Sequence, residues 1–215
     1  MIEINNVTYK YTKDKQLGPL NISMSQGKVH CMIGENGAGK STLISLLLKA
    51  IKPKAGQITV PSTINYMPDD LNFPPYLKVC EIITLLSGIK QRQANQILTE
   101  VGLQDSKDKY VKSLSKGMRQ RLNLAQSIIG DAPLIIMDEP TNGLDPLWIF
   151  KLQEMILKQK SLGKTIFVTT HQLDFAQAIA DEIYCLRDGV IVHQSHNDFE
   201  DVDELIALYK GIGPI

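Results

Sequence analysis

Cysteine is scarce in this chain, with three residues in 215. Cys31, Cys80 and Cys185 are odd in number, far apart and free of any C-x-x-C spacing. That excludes a disulfide framework and a structural zinc site, and it fits a reducing cytosol. Net charge is absent as well: Lys+Arg and Asp+Glu both count 23. Without an overall positive field, nothing draws the chain to nucleic acid or to an anionic lipid surface. Long apolar runs are also missing. Runs such as residues 43–48 (broken by Ser45) and 134–137 fall far short of the ~20 residues of a membrane helix. Residues 1–5 hold no basic region followed by an apolar run, so no secretory signal is visible. Aromatics are few, at 6%, yet 43% of residues are hydrophobic and 21% charged. This is the balance of an ordinary globular chain, long enough for one sizeable core or for a core with one inserted subdomain.

Along the chain, Ile2 and Ile4, then Ile22 and Met24, alternate in the manner of strands, with Lys13-Asp14-Lys15 as a polar turn between them. An antiparallel β start is expected. Residues 29–33 are nearly all apolar and end at glycine, which suits a strand buried on both faces. Residues 40–50 read as a helix, closed by Lys52-Pro53-Lys54-Ala55-Gly56. After Pro68, Pro74 and Pro75, helical patterns over 79–86 and 94–101 mark a helical insertion. Residues 134–137 and 165–169 read as buried parallel strands. Each delivers polar residues to its C-terminal end, where ligands of open α/β sheets sit. Residues 183–186 and 190–193 flank Arg187-Asp188-Gly189, a hairpin signal. The final helix, 201–209, places Val202, Leu205, Ile206 and Tyr209 on one stripe that packs on the body.

Gly34-Glu35-Asn36-Gly37-Ala38-Gly39-Lys40-Ser41, followed by Thr42, fills the pattern G-x-x-x-x-G-K-[ST] between an expected strand and an expected helix. Glycines let successive backbone N–H groups turn inward, and the helix adds its positive N-terminus, so the segment is built for an anion. Lys40 would bridge the β- and γ-phosphates of a nucleotide, and Ser41 would ligate magnesium. The strand at 134–137 then hands over two adjacent carboxylates. Asp138 suits the magnesium and Glu139 the polarisation of an attacking water. Alone, two acidic residues after a strand equally suit a helix cap. Paired with the glycine loop, they complete a site for a magnesium-bound triphosphate. His171 follows the strand at 165–169 and should emerge at the same edge, near the γ-phosphate. Helix capping or packing is its plainer role.

Leu114-Ser115-Lys116-Gly117-Met118 opens an amphipathic helix with Leu122, Ala125 and Ile129 on one face and Ser115 as N-cap. This is a second helix N-terminus prepared for an anion. Since the glycine loop already holds the phosphates, this one serves a different anion, a regulatory ligand, or a nucleotide held by another copy.

With these motifs together, the whole chain resembles a nucleotide-binding subunit of the ABC transporter family. Residues 114–118 match the position of that family's signature L-S-G-G-Q, with Lys116 and Met118 departing from it. The resemblance implies that Ser115 and Gly117 close on ATP bound to a second subunit. It also implies that Asp145 of Thr141-Asn142-Gly143-Leu144-Asp145-Pro146 couples the facing sites, and that Tyr11 stacks on adenine. Where the family has a glutamine at the end of the strand before the insertion, this chain has Asp69. An aspartate can still ligate magnesium but cannot donate as an amide does. Residues 73–77, Phe73-Pro74-Pro75-Tyr76-Leu77, fall where the family meets its membrane partner's coupling helix.

The fold implied is α/β, a RecA-like P-loop NTPase core with an antiparallel β subdomain and an inserted α-helical subdomain. Residues 1–68 and 130–215 would form the core and 69–129 the insertion. The function implied is an ATP hydrolase using ATP and Mg2+. It would pair with a second copy of itself or a homologous subunit, and act through a separate transmembrane permease from the cytoplasmic face of the membrane. Single-cassette exporters of drugs, antibiotics or peptides are the subclass it resembles. A soluble ABC ATPase acting on nucleic acid or ribosomes would carry a long coiled coil or two cassettes, and neither is seen. A simple P-loop kinase would leave the Ser115 helix start unexplained. His193 and His196 share an H-x-x-H spacing without a completing ligand set and read as a solvated strand end. Trp148 reads as packing at a helix start.

Overall fold

The computed structural model describes residues 2–12, 15–88 and 91–211. Strands β1 (Ile2–Lys10) and β2 (Gln16–Met24) pair antiparallel. Their inward side chains, including Ile4, Val7, Leu20 and Met24, are fully buried, as period-two alternation requires of a sheet with one wet face. Lys13 and Asp14 of the expected turn lie outside the described residues. A third strand, β4 (Ala55–Thr59), joins β1 to give the order β2-β1-β4. Here the expectation is corrected: Ala55 and Gly56 do not close a helix but begin this strand. Its side chains are mostly exposed, so no hydrophobic alternation announced it. Gly56 is needed where β4 crosses the register shift of β1, because a Cβ there would stand 2.4 Å from the Asn6 carbonyl oxygen.

The larger sheet has the order β5-β6-β7-β3-β8-β9. It comprises β3 (Val29–Ile33), β5 (Ile64–Met67), β6 (Leu134–Asp138), β7 (Thr165–Thr170), β8 (Glu182–Arg187) and β9 (Val190–His196). All pairings are parallel except β8 with β9. Strands β3, β6 and β7 are buried along their whole length, the pattern of central strands covered on both faces. The β8–β9 hairpin turns on Asp188 and Gly189, both with positive φ, as a two-residue turn between right-twisted strands demands.

Helix α1 (Lys40–Leu47) is shorter than expected, stopping where Lys49 turns left-handed with φ +57. Helices α2 (Val79–Ser87), α3 (Gln91–Glu100) and α4 (Lys116–Ile128) occupy the insertion; α5 (Pro146–Ser161), α6 (Leu173–Ile179) and α7 (Val202–Gly211) follow the later strands. Ile82, Ile83, Ala94 and Leu98 of the insertion join one continuous core with Val29, Ile135 and Val168 of the sheet. The other face of the sheet, with Met32, Ile136 and Phe167, packs on α1 and the three-stranded sheet. Helix α4 departs from a simple amphipathic reading: Gln120, Asn123 and Ser127 are buried along with Leu122 and Ala125. In α7 only Leu205 of the expected stripe is fully buried, with Val202, Ile206 and Tyr209 half-buried. Phe73 is also buried, so the 73–77 loop presents Pro74, Pro75 and Tyr76 rather than its whole apolar length. Trp148 does pack at the start of α5, beneath the Arg121 guanidinium at 4.4 Å and over Gly102.

At the end of the sheet where β3 and β8 begin, His30 is fully buried, its Nε2 2.9 Å from the Ser25 carbonyl. Burial holds its pKa below 6.5, with the Ser25 bond and the Glu182 charge opposing. The neutral imidazole is therefore the folded form. As pH falls from 6.5 toward the depressed folded value, the unfolded chain takes up a proton that the folded one refuses, so stability drops in that window. We expect urea midpoints to fall between pH 7 and pH 5.5, and His30→Gln to flatten that slope.

Candidate functional site

The register of the central strands brings the site together. Asp138 of β6 lies beside Thr169 of β7, and Thr170 of β7 beside Ile33 of β3. Because the three strands are parallel and level, the next residues, Glu139, His171 and Gly34, leave the sheet at one edge. The loop after β3 then turns into α1 at Gly39, whose φ of +113 is open only to glycine and where a Cβ would strike the Leu17 side chain at 2.7 Å. Gly37, by contrast, has open space where a Cβ would stand, so its backbone can be approached closely.

Lys40, the first residue of α1, is buried. Its Nζ donates to the carbonyls of Gly34 at 2.6 Å and Glu35 at 3.3 Å, and stands 3.0 Å from Glu139 Oε1. The other carboxylate oxygen, Glu139 Oε2, is 2.8 Å from His171 Nδ1 and accepts from the His171 backbone N–H at 3.3 Å. Glu139 thus bridges a lysine and a histidine across the mouth of the cradle. Its φ of +46 is a left-handed conformation rare for a non-glycine residue. It is held there by its N–H on the Thr169 carbonyl at 3.0 Å and by its carbonyl accepting from Asn142 N at 3.1 Å.

Asp138 accepts from Ser41 Oγ at 3.1 Å through Oδ2 and from Thr169 Oγ1 at 2.5 Å through Oδ1. Burial pushes its pKa up, while those two hydrogen bonds pull the other way. A hydroxyl and a carboxylate side by side, with Asp69 and Glu139 lining the same cleft, form a set of hard oxygen donors that fits a magnesium ion. Tyr11 stands at the rim of this cleft with its hydroxyl donating to Thr42 Oγ1 at 2.6 Å. Its ring meets Tyr9 edge-on at 5.4 Å, has the Lys15 ammonium 5.9 Å from its centroid and remains 39% exposed.

Of the residues singled out from sequence, Tyr11, Glu35, Asn36, Gly37, Gly39, Lys40, Ser41, Thr42, Asp69, Asp138 and Glu139 line one cleft. Gly34 and His171 join it through Lys40 and Glu139, and Ala38 lines the adjoining hollows. Ser115, Gly117 and Asp145 line none of it. Ser115 caps α4, accepting from Met118 N at 3.2 Å, and Asp145 caps α5, accepting from Trp148 N at 3.0 Å. They nevertheless share a surface, for a Cβ on Gly117 would stand 2.9 Å from the Gly143 carbonyl oxygen, two residues before Asp145. Three contributors were missed. Thr169 holds Asp138, which only cross-strand register reveals. Gln120 donates to the Pro140 carbonyl at 3.2 Å, bracing the loop behind Glu139 from a helix 20 residues earlier in the chain. Asn142 donates to Asp69 Oδ1 at 2.6 Å.

Among known proteins, residues 17–142 match the family described as ABC transporter. The lantibiotic transport ATP-binding protein SrtF of Streptococcus pyogenes is 34% identical, over 95% of each chain. The bacitracin transport ATP-binding protein BcrA of Bacillus licheniformis is 32% identical, over 90% of this chain and 69% of that one. A solved structure titled as an ATP binding subunit of an ABC transporter superposes with a TM-score of 0.86 at 26% identity, covering 97% of this chain and 99% of that one.

Proposed function

The chain belongs to the ABC transporter family, and from that premise we propose that it binds ATP with Mg2+ in the cleft between the glycine loop and the ends of β6 and β7. It would hydrolyse that ATP as one half of a two-subunit motor on the cytoplasmic face of a membrane permease. Residues 1–68 and 130–215 are taken as the nucleotide-binding core and 69–129 as the helical subdomain. The phosphates would lie on the N–H groups of the glycine loop and displace Glu139 from Lys40. Ser41 and Asp138 would hold the metal, which supplies charge neutralisation to the γ-phosphate. Glu139, released toward the cleft and kept oriented by His171, would accept the proton of the attacking water.

The observation that carries the two-subunit reading is the separation within one chain. Residues 35–37 and 39–42 line one cleft with Asp138 and Glu139, whereas the capped N-terminus of α4 at Ser115 and Gly117 lines no part of it and adjoins Gly143 instead. That second anion-facing surface suits the nucleotide of a second copy. The relatives named for lantibiotic and bacitracin transport support a peptide antibiotic as the substrate class. The exposed Tyr76 loop, braced by Lys112 Nζ at 4.8 Å from the ring, is the surface offered to the permease. No described helix is long and apolar enough to cross a membrane.

Ser115→Arg tests the shared site. It should leave ATP affinity of the single chain unchanged, since Ser115 is remote from the cradle, and lower turnover by about a hundredfold or more, the range for loss of a donor to transition-state charge. Full turnover by this variant would mean that each chain works alone.

A further inference from the structure

Asp69 follows β5 at the point where the chain enters the helical insertion, and it is exposed. A free aspartate on such a loop would sample several rotamers, and a carboxylate that wanders is a poor partner for a metal. The backbone leading into it is held from one side by α4: Asn123 Nδ2 donates to the Pro68 carbonyl at 2.6 Å and Gln126 Nε2 to the Tyr66 carbonyl at 2.5 Å. Its side chain is fixed from the other side by Asn142, whose Nδ2 donates to Asp69 Oδ1 at 2.6 Å. Asn142 is itself set by the turn that begins at Glu139, through its N–H on the Glu139 carbonyl at 3.1 Å.

We propose that Asn142 is a positioning residue that holds the Asp69 carboxylate at the metal side of the nucleotide cleft, using Oδ1 and leaving Oδ2 for the cation. The proposal rests on the reading of this cleft as a magnesium–nucleotide site. An amide is the side chain suited to the task. It donates without carrying charge, so it orients the carboxylate and leaves its negative charge for the metal. A lysine at the same place would cancel that charge, and an aspartate would repel it. Asp69 and Asp138 line the same cleft, so both carboxylates border the space the ion would occupy. The arrangement also divides between two residues what one glutamine side chain would combine: an oxygen for the metal on Asp69 and an amide donor on Asn142.

The test compares binding of a fluorescent trinitrophenyl-ATP in Mg2+ with binding in EDTA. The ratio of the two affinities measures what the metal adds, with no reaction involved. Asn142→Ala should shrink that ratio roughly tenfold, the scale of a lost partner behind a metal ligand, while affinity in EDTA stays put. Asp69→Asn should shrink it at least as much. The double variant should do no worse than Asp69→Asn alone, because Asn142 acts only through Asp69. An unchanged ratio in Asn142→Ala, or losses that multiply in the double variant, would overturn the proposal. A ratio of one in the unsubstituted chain would instead overturn the magnesium–nucleotide reading beneath it.

Discussion

Glu139→Gln is expected to lower ATP hydrolysis by about 10²–10⁴-fold, the contribution of a positioned general base, while ATP binding survives. Glutamine has the same shape, so the left-handed backbone at φ +46 and its two hydrogen bonds to Thr169 and Asn142 need not change. What is lost is the basic oxygen and one negative charge at the place where the γ-phosphate arrives. Removing that charge removes a repulsion, so the ATP-bound form should be longer-lived. Size exclusion in ATP and Mg2+ should show a dimer with this variant and a monomer without nucleotide. A Glu139→Gln chain that hydrolyses normally and stays monomeric in ATP would sink the shared-site mechanism.

The second large effect is expected at Lys40. Its ammonium has two jobs: it waits for the phosphates, and without them it neutralises the buried Glu139 at 3.0 Å. Lys40→Met keeps most of the side-chain volume and removes both. Triphosphate affinity should fall by at least tenfold, from loss of a charge-assisted contact of about 1.5–3 kcal/mol. The nucleotide-free protein should also lose stability. Breaking a buried pair costs roughly 3–5 kcal/mol when the orphaned charge has no other partner, and His171 at 2.8 Å from Oε2 keeps the loss below that range. The double variant Lys40→Met/Glu139→Gln separates the two jobs. Chemical denaturation should show stability recovered, because no orphaned carboxylate remains, while nucleotide affinity in EDTA stays low. Stability that does not recover would mean that the Lys40 stem, rather than its charge, supports the loop.

The chemistry of single segments was legible before any fold was known. The eight residues 34–41 have to turn on their glycines and end in a helix, because the conformational freedom of glycine and the lysine–serine ending are local properties of the chain. The largely apolar strands at 29–33, 134–137 and 165–169 announced a sheet covered on both faces for the same reason. The hairpin was announced by Arg187-Asp188-Gly189, because an Asp-Gly pair readily takes the positive φ values that a two-residue turn needs. Strand β4 escaped notice because an exposed edge strand carries no alternation. The burial of Gln120 and Asn123 escaped because an amphipathic pattern marks only the apolar stripe, not the polar side chains that find carbonyl partners on other elements.

What only the tertiary structure decided are the partnerships, since these depend on which strands lie side by side and at what level. Parallel register sets Thr169 against Asp138 and brings His171 to Glu139; no spacing along the chain encodes that a residue 31 positions later shares a hydrogen bond. The same holds for Asp69 and Asn142, separated by 73 residues. The sequence alone made Asp69 look like a loss of the amide donor that a glutamine would bring. The folded chain returns an amide to that place from another loop, because long-range packing can supply from two residues what a motif expects from one.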